Sequence, residues 1–144
     1  MKKALENLKK LKDVYYDTET TKIGEDLTVK LKILSSEEET EVTAFSLQYQ
    51  ESGISFFYTV KRETLCRSIV GLNGEEIPEI IEEDNGDKIQ RYTWIKNNIV
   101  KGWPQMLVDQ VWKGYDVLQN KLEQKLLGTT KKEELKKEED GKQI

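Results

Sequence analysis

Glu37, Glu38 and Glu39, and the run Asp84-Asn85-Gly86-Asp87, are the residues in this chain that a divalent cation would choose. Neither group has the spacing that cation binding needs. Adjacent carboxylates on a helix point to different sides, and the ordered ligand positions of a calcium loop are absent. The first run reads as a helix start and the second as a solvated turn. Nucleophilic chemistry is narrower still, because the chain has one cysteine, Cys66, and no histidine. Cys–His and Ser–His pairs are excluded, and so are histidine zinc sites, since one thiol cannot supply the remaining ligands. Cys66 sits between Leu65 and Arg67 in a segment of helical spacing and reads as a small buried side chain, not a reactive thiol. Gly71 and Gly74 lack the lysine and the further glycines of a phosphate loop. Carboxylates alone can run a hydrolysis, but no pair stands out from so charged a surface. The expectation is no enzyme, with no catalytic, cofactor-binding or metal residues.

Trp94, Trp103 and Trp112, with Tyr92 and Tyr115 nearby, raise a different chemistry. Aromatics interleaved with Arg91, Lys96 and Lys101 would suit stacking on single-stranded nucleic acid. The acidic segment beside them and the formal net charge of -4, from 23 Lys+Arg and 27 Asp+Glu, oppose it. Core packing, with interface anchoring as the second role, suits these rings better.

A chain of 144 residues that is 36% hydrophobic and 35% charged suggests one domain with a modest core and a heavily charged surface. The lone cysteine allows no intrachain disulfide. Lys2 and Lys3 are not followed by a long apolar run, so no signal peptide is expected, and no stretch approaches a membrane helix. These features point to a reducing, aqueous interior or a particle assembled in one, with neither nucleic acid nor membrane as a partner.

The elements that would position these residues follow from periodicity. Residues 1–15 carry Leu5, Leu8 and Leu11, with Val14 and Tyr15 beyond, which predicts an amphipathic helix with lysines on its other faces. It is either packed on its own domain or an arm that docks on a neighbour. Asp17 to Asp26 reads as a polar loop. Leu27, Val29, Leu31 and Ile33 alternate with polar residues and predict a strand with one wet face. Ser36 with Glu39 reads as a capping box for a helix to about Tyr49, burying Val42, Phe45 and Tyr49. Residues 54–68 mix a strand-like start with helical spacing, and the helix is favoured. Ile69, Val70 and Leu72 lead into Asn73-Gly74, a hairpin signal. Ile77 to Lys88 reads as an acidic surface loop. Ile89, Tyr92, Ile95 and Ile99 predict a helix over Asp87 to Lys101. Gly102 and Pro104 then separate it from a long helix over Pro104 to Leu127 that Gly128 stops. Leu118, Leu122 and Leu126 make a narrow seam suited to one partner helix. Residues 128–144 are charged and low in complexity, and are expected to be disordered in isolation. The fold expected is α+β: a single, mostly helical domain over residues 27–127, with a small antiparallel strand element and a long C-terminal helix.

Three stretches carry a family resemblance. VKLKILSSEEETEV runs a strand straight into a glutamate-rich helix start. RETLCRSIVGLNGEEIP runs a short helix into a strand and glycine turn. WPQMLVDQVWKGYDVLQNKLEQKL is a long closing helix rich in leucine and aromatics. Their order from Leu27 to Leu127 resembles small tail and baseplate proteins of contractile-tailed bacteriophages, namely baseplate hub subunits and tail-assembly chaperones. The resemblance implies a non-enzymatic structural subunit in the virion, assembled in the bacterial host cytoplasm, or else a soluble chaperone absent from the finished particle. It implies other tail or baseplate proteins as partners, with self-association also open, and transfers no functional residue.

Overall fold

The computed structural model describes the backbone of residues 1–15 and 18–142 and the side chains of residues 1–9 and 18–127. Its central strand, β2, spans Leu27–Lys32, where the alternation places it. Val29 and Leu31 are fully buried on one face, while Lys30 and Lys32 occupy the other and reach Glu76 and Glu38. The segment expected as a loop before it is instead a strand, β1 (Thr18–Ile23), paired antiparallel with β2 across a turn at Gly24, whose φ is 62°. Its half-buried positions, Glu19, Thr21 and Ile23, alternate as a strand demands, but two of the three are polar, so the pattern is hidden from a hydrophobicity scan. The other end of that expected loop, Asp17, lies outside the described residues.

A helical pair interrupts the sheet. α2 (Ser36–Ser46) continues as a 3-10 turn, Leu47–Tyr49, and α3 (Gly53–Ser68) follows. The capping box is one residue earlier than expected: the Ser35 hydroxyl accepts from the Glu38 amide at 3.2 Å, and the Ser35 amide donates to the Glu38 carboxylate at 3.1 Å. Lys32 decides the register. Its ammonium lies 2.5 Å from that carboxylate, which fixes Glu38 as the third helical residue. Val42 is buried as expected, but Phe45 and Tyr49 remain 37% and 40% exposed.

β3 (Ile69–Leu72) then joins β2, and β4 (Glu75–Glu76) closes a sheet of order β1-β2-β3-β4. Asn73 and Gly74 both have positive φ, 49° and 83°, the backbone that a two-residue hairpin turn requires. The Asn73 side chain extends the ladder by accepting from the Thr28 amide at 2.8 Å. The acidic segment expected as a loop forms a second hairpin, β5 (Ile80–Glu82) with β6 (Lys88–Gln90), and its DNGD run is the turn. This hairpin takes Ile89 out of the helix assigned to it: α4 covers only Arg91–Asn98, followed by a 3-10 turn, Val100–Gly102.

The long helix α5 spans Gln105–Lys142. Gly128 does not stop it, and the charged tail is helical in its backbone to Lys142. Lysine, glutamate and leucine all favour helix, and one internal glycine costs only about 1 kcal/mol. The side chains of that tail, Leu135 and Ile144 among them, lie outside the described residues, as do those of Leu11, Val14 and Tyr15 in α1 (Lys2–Tyr15). Val108, Val111, Tyr115 and Leu118 form the buried stripe of α5, packed with Val29, Leu31, Leu65, Ile69 and Ile95. Trp94, Trp103 and Trp112 are half-buried against this core, as core packing predicts. The result is the expected α+β architecture, mostly helical, with small antiparallel sheets and a long final helix.

Candidate interaction site

The most constrained polar arrangement lies where α2, α3 and α4 meet. Glu63 and Arg67 stand four residues apart on α3, on the face that packs inward, and their side chains are 4% and 6% exposed. Arg67 Nη1 donates to Glu63 Oε2 at 2.9 Å and to the Glu63 carbonyl at 3.1 Å, and Arg67 Nε donates to Glu41 Oε2 on α2 at 3.2 Å. Lys96 on α4 brings its ammonium 2.5 Å from the other Glu63 oxygen. Two rings cover the cations: Tyr92 lies 4.4 Å beneath the Arg67 guanidinium, and Phe45 lies 4.0 Å beneath the Lys96 ammonium. Burial would lower the Arg67 pKa, but its hydrogen bonds to the Glu63 and Glu41 carboxylates outweigh it and hold the guanidinium above its ordinary value. Two acids and two bases are thus matched and hydrogen-bonded, so the desolvation that makes buried charge costly is offset inside the cluster. The chemistry this performs is bracing: it fixes three helices relative to one another.

Beside the cluster is a cleft of about 160 Å³, with Phe45, Tyr49, Arg62 and Lys101 at its rim and Cys66 at its floor. Ligand pockets usually measure about 300–1,000 Å³, so this one is small for an organic substrate. Burial pushes the Cys66 thiol up to about 12, with the Glu63 charge adding to the rise, which leaves it almost wholly protonated at neutral pH. Of the cations expected beside the tryptophans, Arg91 donates to the Ile77 carbonyl at 3.0 Å and Lys96 is committed to Glu63. The three tryptophan rings are half-buried against the core, and Lys101 is exposed. Among the described residues no three His, Cys, Asp or Glu side chains come together to hold a metal ion. Glu38 instead faces Lys32 and Ser35. Nor is any helix among them long and apolar enough to cross a membrane.

The surfaces that remain are of a different kind. Between the β5–β6 hairpin and α4 lies a groove of about 440 Å³, with Ile81 and Trp94 as its apolar lining and Glu82, Glu83 and Asp84 around it. At the start of α3, Ile54 and Phe57 are 69% and 66% exposed, with Leu47 nearby in sequence also exposed. All of residues 1–9 in α1 are exposed. Sequence reasoning missed the Glu41–Arg67–Glu63–Lys96 cluster. The available signal was Glu63 and Arg67, a pair with helical spacing on either side of Leu65 and Cys66, where charge would not otherwise be buried. Comparison with protein-family models, with curated proteins and with solved structures finds no match.

Proposed function

We propose that this chain is a non-enzymatic assembly subunit that docks on other proteins through its helical arms. The observation that carries this is α1, in which Leu5 and Leu8 are 56% and 60% exposed on a helix whose described side chains touch nothing that buries them. Helices shorter than about 12–15 residues are marginal alone in water, so this one gains most when its leucines are covered. α5 repeats the arrangement: Leu118 is buried, Leu122 half-buried and Leu126 exposed, so the four-residue seam walks off the body.

The setting we propose is the tail or baseplate of a contractile-tailed bacteriophage, on the strength of the sequence resemblance, with other tail or baseplate chains as partners. Mass spectrometry of washed particles tests it. Presence at a fixed copy number supports a structural subunit. Absence from particles, combined with capture of an unassembled tail protein from infected-cell extract, makes the chain a chaperone lost on assembly. Absence from both sinks the assembly reading.

A further inference from the structure

The groove between the β5–β6 hairpin and α4 and the exposed helix α1 are complementary in chemistry. Ile81 and Trp94 give the groove an apolar lining, and Glu82, Glu83 and Asp84 surround it with negative charge. Among the described residues none of these three carboxylates forms an ion pair. α1 has the inverse pattern. Leu5 and Leu8 lie three residues apart on one face, and residues 1–15 hold five lysines against two acids. In its own molecule every one of residues 1–9 of this helix is exposed.

We propose that α1 of one copy docks in the acidic groove of a second copy, with Leu5 and Leu8 against Trp94 and Ile81 and with Lys2 and Lys9, which flank the leucine face at 100° per residue, toward Glu82, Glu83 and Asp84. The groove's roughly 440 Å³ lies within the range that holds drug-sized apolar molecules, which suits two leucine side chains on one helix face. The contact joins two different patches, so it is head-to-tail and either closes into a ring or extends as a filament. It rests on the docking role proposed above and names a second copy of the chain as one partner. It is read on the purified chain alone, so a protein that docks only on other tail components would fail here and still pass the particle test.

Sedimentation of the full chain across a concentration series is the experiment. The wild type is expected to associate at low salt and to dissociate by 1 M salt, where the Debye length falls from about 10 Å at 0.1 M to about 3 Å. Reversing the arm, with Lys2→Glu and Lys9→Glu together, raises the dissociation constant at least tenfold. So does reversing the groove, with Glu82→Lys, Glu83→Lys and Asp84→Lys together. Mixing the two variants restores association, because each arm then meets a groove of opposite sign. All five positions are exposed, and circular dichroism of each variant checks that its fold is intact. Leu5→Gln with Leu8→Gln keeps the charge and also dissociates the assembly. A wild type that stays monomeric at every concentration overturns the proposal. So does association that both reversals leave intact, or reversed variants that fail to rescue each other when mixed.

Discussion

Gly114 on α5 lies so close to Thr21 on β1 that an added Cβ would overlap the threonine hydroxyl and sit 2.9 Å from its Cβ. This is why a residue that weakens helices stands in the buried stretch of the longest one. Ordinarily Gly→Ala inside a helix gains about 1 kcal/mol. Here the methyl group has nowhere to go unless β1 moves, and overpacking costs about 1–3 kcal/mol. Gly114→Ala is therefore expected to be net destabilising, lowering the thermal midpoint by a few degrees. Gly114→Ala with Thr21→Ala should lose less than the two single changes added together, since the second removes the atoms in the way. A Gly114→Ala variant more stable than wild type in thermal denaturation would show that the helix and strand do not meet this closely.

The capping box at Ser35 and Glu38 gives a sharper test of register. Ser35→Ala should cost about 1 kcal/mol in urea denaturation, while Ser36→Ala, one residue on, should lie within a few tenths. Glu38 also links stability to pH. Burial alone would raise its pKa, but the Lys32 ammonium and the Ser35 amide together hold it below the ordinary carboxylate value. A carboxyl depressed in the folded state contributes stability that is present above its unfolded pKa and lost as pH falls through the folded one. The loss attributable to this group should therefore appear below about pH 4.5, and Glu38→Gln should flatten it. An unchanged acid limb in Glu38→Gln would remove Glu38 from the account.

These two sites also mark what could and could not be read from the chain. Apolar periodicity located β2, α3, the buried side of α5 and the Asn73-Gly74 turn, because in each the signal is the burial of hydrocarbon or a required positive φ. It missed β1, where Thr21 and Glu19 alternate with lysine and threonine: one faces a helix glycine and the other meets the Lys121 ammonium at 2.6 Å. It also buried Phe45, whose ring is used instead as a platform for Lys96. Ser35 and Ser36 are interchangeable on sequence, and only Lys32 on the neighbouring strand chooses between them. The charge cluster was half legible: the Glu63–Arg67 pair has helical spacing on one helix, but its burial depends on Glu41 and Lys96 from other elements.

That cluster should respond asymmetrically to substitution. Glu63→Leu leaves the buried Arg67 guanidinium with Glu41 alone and strips Lys96 of its partner, and breaking a buried pair from one side costs about 3–5 kcal/mol. Adding Arg67→Met removes the orphaned charge and should recover much of that loss, because apolar replacement of a whole buried pair is often close to neutral. Chemical denaturation of both variants decides the matter. Equal losses in the single and double variants would mean that the side chains fill space and their charges contribute little.

Cys66 supplies a probe of how tightly these helices hold together. The thiol is 1% exposed and its pKa is pushed up to about 12, first by burial and then by the Glu63 charge. At pH 8 only about one buried thiol in ten thousand would be ionised. Native protein should therefore resist a disulfide-exchange reagent, and labelling should be complete in denaturant. Under native conditions the slow reaction that remains should track opening of the α3–α4 contact. It should therefore speed up in Glu63→Leu, which loosens that contact and also removes the neighbouring negative charge, and much less in Lys30→Ala, which loses only the exposed pair with Glu76. Stoichiometric labelling of the wild type within minutes at pH 8 would show the thiol to be accessible, and would overturn the view that the α3–α4 contact is held shut over it.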